Sequence, residues 1–425
     1  MLIEFSVENY LSFKDKITFS MLASSRKPSE ENKDALFDAN NQRFIKSAII
    51  FGANASGKSN FLKALHFMKS KILSAFSQEV VSNFKLDSAC DALPLSFEIV
   101  FLVENKSSLS NLDYLEFRYG FSIKKEVIEN EWLFGRFTAQ ESMLFIRKGN
   151  QFEIGSKYKE AKKVYKTLGK INQELMFLKV MADIKGEEDD ITSMVIGFFQ
   201  KINNITFIRD MNLWTVTQAV SENPRLKKMI LNMLKVVDLG IEDFLVLDED
   251  FLYNHARNEY VKTIRKRKKL KSIHKVYDNQ VLTNNTVEFD FNEDESEGTR
   301  RFFAIIGPLI EALDKSEIVI IDELDSKMHP LLLLFIIKLF NSSFNKRCAQ
   351  LIATAHNTIL LDKDILRRDQ IYFAEKSLSG ISSIYSLSDF QHYRKDATYS
   401  KDYLLGKLGA IPYISDINSI FEEDE

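Results

Sequence analysis

The residues Gly52-Ala53-Asn54-Ala55-Ser56-Gly57-Lys58-Ser59 follow the pattern G-x-x-x-x-G-K-[ST]. In such a run the glycines let successive backbone N–H groups turn toward one point, where phosphate oxygens can sit. Lys58 can reach the outer phosphates, and the Ser59 hydroxyl can ligate Mg²⁺. Asn60 follows as the next helical N–H donor, so Gly52 to Asn60 form the candidate nucleotide-binding set. Far downstream, Ile318-Val319-Ile320-Ile321-Asp322-Glu323 is an apolar run ending in two acids. Asp322 is placed to hold Mg²⁺, and Glu323 to orient or deprotonate an attacking water. Leu351-Ile352-Ala353-Thr354-Ala355-His356 is a second apolar run that ends in a histidine, a candidate γ-phosphate switch.

These side chains work only if secondary structure brings them together. Ser47 to Phe51 predicts a buried strand before the glycine loop. Phe61, Leu62, Leu65 and Met68 recur at helical spacing after it, which is the strand–loop–helix context that the motif requires. One helix, Leu331 to Phe344, separates the acidic strand from the histidine strand. A right-handed crossover would make the two parallel neighbours in one sheet. Upstream, Ser296-Glu297-Gly298-Thr299 precedes an apolar helical run, so Ser296 reads as a helix cap and the segment as an anion-binding helix start.

Around this framework, Leu2–Tyr10 and Ile17–Met21 alternate like paired strands, and Ser24 to Gln42 reads as a loop. Leu95–Val103, Tyr114–Ile123, Ile128–Phe134, Glu141–Arg147 and Gln151–Ile154 predict an antiparallel sheet joined by short turns. Spacing turns helical from Tyr158 to Leu239. A basic run, Lys262 to Lys275, then reads either as a solvated strand edge or as a phosphate-contacting patch for nucleic acid or an acidic partner. No aromatic residue interleaves its densest part, Lys262 to Lys271, which disfavours base stacking.

A chain of 425 residues that is 45% hydrophobic can bury a large core, and a net charge of −3 excludes a globally cationic nucleic-acid binder. Cys90 and Cys348, the two cysteines, have neither metal nor redox spacing and predict buried free thiols. No apolar run is long enough to span a bilayer and the start does not read as a signal peptide, so a soluble cytoplasmic protein is expected, with no membrane partner.

The order of glycine loop, Ser296 segment, acidic strand and His356 resembles the ABC-type ATPases, in the branch of SMC, RecF and OLD proteins. Leu324-Asp325 resembles that superfamily's D-loop, and Asn9-Tyr10-Leu11-Ser12-Phe13-Lys14 resembles the opening strand of its RecF-like members. Arg367-Arg368-Asp369-Gln370-Ile371-Tyr372-Phe373 and Leu408-Gly409-Ala410-Ile411-Pro412 are similar to a narrower group of stand-alone ATPases in bacterial phage-defence loci, which includes the ATPase of the PARIS system. The resemblance implies an α/β ABC-ATPase head with a mixed sheet around the P-loop, an antiparallel β subdomain and a mostly helical insertion. It divides the chain into an N-terminal ATPase lobe (1–155), the insertion with the basic segment (156–290) and a C-terminal lobe (291–425).

It implies ATP and Mg²⁺ at the site, with Glu323, His356 and Lys58 catalytic and Ser59 and Asp322 on the metal. Ser296, Glu297, Gly298 and Thr299 would act in trans as the signature in a homodimer or larger head-to-tail assembly. A Q-loop glutamine would be Gln78 or Gln140. The expected role is an ATP-driven sensor in an anti-phage system, answering a phage trigger protein and controlling a separate Toprim-type nuclease effector. A RecF-like repair ATPase that clamps DNA, and a scaffold using ATP as structural glue, are the alternatives.

Overall fold

The computed structural model describes residues 1–24, 30–74, 82–106, 110–185, 190–205, 209–237, 239–253, 263–390 and 398–412. Its central layer is a 6-stranded mixed sheet. From edge to edge the strands are β11 (Ile202–Asn204), β15 (Ile318–Ile321), β16 (Gln350–Thr354), β5 (Ser47–Phe51), β17 (Ile371–Lys376) and β18 (Ser382–Ser386). All pairings are parallel except β17 with β18. The expected adjacency of the acidic and histidine strands is therefore present. The strands are near-continuous runs of Ile, Val, Leu and Phe because both faces of the sheet are covered. Ala48, Ile50, Ile320 and Ile352 enter one hydrophobic core, while Ile49, Phe51, Val319, Ile321, Leu351 and Ala353 enter another.

The first core is closed by a 7-stranded antiparallel sheet: β10 (Gln151–Ile154), β9 (Glu141–Lys148), β8 (Val127–Arg136), β7 (Tyr114–Lys124), β6 (Leu95–Glu104), β1 (Leu2–Glu8) and β2 (Ile17–Ser20). Helix α1 (Lys58–Leu73) lies between the two sheets and buries Phe61, Leu62, Leu65 and Met68, the residues whose spacing marks it in the sequence. Short helices α2 (Lys159–Leu168), α3 (Phe177–Lys185) and α4 (Asp190–Gln200) complete this side. The buried Glu131 carboxylate fastens them by accepting the N–H groups of Phe177 (2.7 Å) and Leu178 (3.1 Å) at the start of α3. The second core is covered by α5 (Arg209–Glu222), α6 (Pro224–Val236), α7 (Glu297–Lys315) and α8 (Pro330–Asn341), with α9 (Tyr399–Leu404) near the end.

Three features depart from the sequence reading. At the end of the supposed loop, β3 (Leu36–Ala39) pairs with β4 (Gln42–Ile45), which follows it, in a hairpin. Its turn residues Asn40 and Asn41 both have positive φ, 48° and 62°, which asparagine tolerates and the right-handed strand twist favours. The helical region from Tyr158 to Leu239 is interrupted by the 3-residue β11, which extends the central sheet. The last part of the insertion is a β meander, β12 (Asp243–Tyr253), β13 (Thr263–Asp278) and β14 (Val281–Asp290). Of the cysteines, both free, Cys90 is buried and Cys348 only half-buried.

Candidate functional site

Strand β5 delivers the chain to Gly52, whose φ is 152° and where an added Cβ would stand 2.3 Å from the Ala374 carbonyl oxygen. At Gly57 φ is 113°, and a Cβ would meet Ser382 Oγ at 2.5 Å and Ser12 Oγ at 3.1 Å. Both positions exclude any larger residue. Gly57 is also the N-cap of α1 and supplies no side chain to the first-turn donors, so the N–H groups at that helix start remain available to an anion. Lys58 Nζ donates to the carbonyls of Gly52 (2.7 Å) and Ala53 (2.8 Å), bridging the loop. Burial lowers its pKa, and the carboxylates of Asp322, Asp325 and Glu323 push it back up. The Ser56 hydroxyl is buried in the loop without a partner. A cradle closed to any Cβ, an uncapped helix start, a lysine resting on loop carbonyls and an orphaned hydroxyl fit a polyphosphate.

The loop is braced from both ends of the chain. Asn60 Nδ2 donates to Ser12 Oγ (2.8 Å), and the Ser12 carbonyl accepts Ser382 N–H (2.8 Å). The bend that presents Ser12 has positive φ at Asn9 and Leu11. It is held by Asn9 Nδ2, which donates to the carbonyls of Cys90, Leu93 and Pro94. Ala53 N–H donates to the Ala410 carbonyl (2.8 Å), and Tyr385 and Tyr403 hydroxyls hold that terminal segment at Leu408 and Ala410. The Arg367–Gln370 run is a brace of another kind. Gln370 Nε2 donates to Ser47 Oγ (2.8 Å) and tethers β17 to the start of β5.

The acidic strand ends beside this loop. Thr354, the last residue of β16, donates its hydroxyl to Asp322 Oδ1 (2.6 Å) and accepts Glu323 N–H (2.7 Å) on the same oxygen. Glu323 takes the left-handed φ of 48°, which turns the chain out of the sheet and leaves its side chain exposed. Asp325 Oδ2 accepts the N–H groups of His356 (2.7 Å) and Asn357 (2.6 Å), locking the turn that carries His356, itself exposed. Asp322, Glu323, His356 and the Gly52–Asn60 loop therefore share the C-terminal edge of the parallel strands, the ligand-binding edge of open α/β sheets.

Ser296 caps α7 by accepting Thr299 N–H at 3.1 Å, and it is exposed. Glu297 pairs with Lys327, and a Cβ on Gly298 would lie 3.1 Å from the Lys327 carbonyl oxygen. Arg301 Nη2 donates to the Glu323 carbonyl (2.8 Å), so α7 touches the acidic turn of its own chain. The preceding Glu295 is fixed to the meander, where Ser272 Oγ (2.5 Å) and His274 Nε2 (2.7 Å) meet one carboxylate oxygen.

Gln140 lies in the turn between β8 and β9, and Gln78 lies outside the described residues. Lys262 also lies outside them. In the rest of the basic run, Lys268 pairs with Asp248 (2.9 Å), Lys269 with Asp290 (2.8 Å), Lys271 with Glu288 (2.8 Å) and Lys275 with Glu242 (2.8 Å). The lysines of the run whose side chains are described are thus answered by acids across the meander and from the segment leading into β12. Thr354 was missed in the sequence, although a threonine ending an apolar strand beside an acid strand is a usable signal. Ser382 gave no signal, and Ala410 stood out only within the Leu408–Pro412 resemblance.

The profile of the family described as "AAA domain, putative AbiEii toxin, Type IV TA system" matches residues 47–173 and 215–362. The matched segments contain the glycine loop, the Ser296 segment, the acidic strand and His356. Among solved structures, the SMC head domain from Thermotoga maritima is similar at 12% identity with a TM-score of 0.41, over 91% of this chain and 98% of that one. An SMC head bound to the C-terminal winged-helix domain of ScpA is similar at 12% identity and TM-score 0.41, over 91% and 97%. A comparison with curated proteins returns no match.

Proposed function

The chain belongs to this AAA-domain family of P-loop ATPases, and on that premise we propose that it binds and hydrolyses ATP as the switch subunit of a bacterial anti-phage system. The observation that carries the chemistry is the convergence of Lys58 with Asp322, Glu323 and Asp325 at the uncapped start of α1. The Gly52–Asn60 amides bind the triphosphate, and Lys58 leaves the Gly52 and Ala53 carbonyls for its outer oxygens. Ser59 and Asp322 would hold Mg²⁺. Among the described residues no three His, Cys, Asp or Glu side chains group as ligands, which fits an ion that takes its other ligands from phosphate and water. When bound, the ion supplies positive charge where the phosphates accumulate negative charge. Thr354 aims the Asp322 carboxylate, and Glu323 orients and deprotonates the water. His356 contacts the γ-phosphate from a turn that Asp325 fixes.

Ser296 completes the site from a second copy of the chain. A triphosphate then bridges two protomers, and hydrolysis releases them, which gives a two-state element for control of an effector. The family's toxin–antitoxin description supports a partnered role. A Toprim-type nuclease as effector, a phage protein as trigger, and kinship with the PARIS-type ATPase are our reading of the sequence resemblance. The DNA-clamping alternative draws less support, because the described lysines of the basic run are paired with acids.

Phosphate-release kinetics and light scattering test the proposal together. Glu323→Gln slows turnover by about 10²–10⁴-fold and accumulates an ATP-bound oligomer. Unchanged turnover in this variant rejects the catalytic assignment.

A further inference from the structure

A cavity of about 800 Å³ opens at the opposite edge of the central sheet from the P-loop. Its wall includes Lys315 and Ser316, which lead into β15, and Lys346 and Arg347, which lead into β16. The strands between the two edges are 4 to 5 residues long. At about 3.3 Å per residue, this separates the cavity from the ATP site by on the order of 15 Å.

The other wall is one stripe of α4, Asp190, Ser193, Met194, Gly197 and Phe198, followed by Lys201. These positions repeat at helical spacing, so a single face of the helix looks into the space. Two observations give the cavity a chemistry. First, Lys201, Lys346 and Arg347 are exposed cations with no carboxylate partner among the described residues. The other lining lysines are answered, Lys106 by Glu104 (3.4 Å) and Lys315 by Glu311 (2.7 Å). Asp190 is the one remaining lining acid, and it sits in the first turn of α4, where a negative charge suits the helix dipole. Second, Gly197 stands inside the helix, where glycine is a poor choice, and nothing lies within 4 Å of the Cβ it lacks. Neither a positive φ nor a packed neighbour requires glycine there. The missing side chain leaves room against the helix, beside the apolar surface of Met194 and Tyr114.

We propose that this cavity is a second binding site, for a phosphorylated small molecule of mono- to dinucleotide size. Lys201, Lys346 and Arg347 take its phosphates, and its ring or other apolar part lies against Met194, Tyr114 and the open backbone at Gly197. The ligand joins the start of β15 to α4, since Lys201 already accepts Ile318 N–H on its carbonyl (2.9 Å). It can therefore bear on the strand that carries Asp322.

The test is calorimetric titration of the 5′-phosphorylated dinucleotide pTpT into the full chain. Lys346→Glu combined with Arg347→Glu changes two exposed residues, although Arg347 also donates to the Asp314 carbonyl (2.5 Å), so melting curves check that the fold is kept. Gly197→Phe fills the space without demanding a positive φ. The expected result is binding that survives Lys58→Ala and is weakened about tenfold or more by the double variant and by Gly197→Phe. With the loop disabled by Lys58→Ala, inorganic tripolyphosphate should bind more weakly than pTpT and lose its affinity when the double variant is added. No measurable binding, binding abolished by Lys58→Ala, or binding indifferent to both cavity variants overturns the proposal. Tripolyphosphate binding as tight as pTpT in the Lys58→Ala background overturns the apolar half of it.

Discussion

At Lys58 the same atoms serve two states of the site. Its ammonium rests on two loop carbonyls at 2.7 and 2.8 Å, and on the proposed reading it exchanges them for phosphate oxygens when a nucleotide enters. A hydrogen bond to a charged group contributes about 1.5–3 kcal/mol, so Lys58→Ala should weaken ATP binding roughly 10- to 100-fold in calorimetry. Burial lowers the lysine's pKa, so the ammonium is lost at a less alkaline pH than in an exposed lysine. ATP affinity should accordingly fall as pH rises toward the usual lysine value, with proton uptake on binding in that range. A flat affinity profile there would separate Lys58 from the phosphates. Thr354 acts one step away from the ligand. Thr354→Val orphans the Glu323 N–H and removes one hydrogen bond from Asp322, and should reduce turnover with a stability loss of about 1–3 kcal/mol. Thr354→Ser keeps the hydroxyl and should recover most of the rate. Equal rates in both variants would deny Thr354 a positioning role.

Elements differed in how well the sequence announced them. The strands of the antiparallel sheet alternate over 8 to 11 residues from β6 to β9, and each was legible because one face must be buried. The P-loop strand and helix were legible because glycine, lysine and helical spacing agree there. By contrast, β11 is 3 residues long and owes its existence to pairing with β15, a tertiary cause that leaves no local pattern. The acids that answer the basic strand stand many residues away in sequence, so a lysine count alone overstates its charge. Ser12 and Ala410 stood in segments marked by the family resemblance, but their bracing role was invisible for the same reason, and Ser382 had no sequence signal at all. Helix α4 carries the prediction that belongs to this scale. Gly197→Ala adds a side chain into open space, so it should stabilise the protein by about 0.5–1 kcal/mol in denaturant titrations. A destabilised variant would mean that the glycine meets a constraint not visible in the helix.

In the whole molecule, Ser296 and the Glu323 side chain are both exposed, and on the proposed reading a second copy joins them into one site. The α7 N-terminus is rigidly placed by the Glu297–Lys327 pair, by Arg301 on the Glu323 carbonyl and by the Glu295 contacts with the meander. Under the proposed pairing it would meet a partner as a preformed surface rather than a loop that must first be ordered. Two defective proteins can distinguish this arrangement from a self-contained site. Lys58→Ala spoils the loop and Ser296→Arg spoils the signature, and each alone should be inactive. If the site is shared, a mixed dimer has one site with both defects and one with neither. Equal mixing gives half mixed dimers, so activity should return to about a quarter of the wild-type rate. If each chain completes its own site, no mixture contains an intact one, and the rate stays at the level of the separate variants.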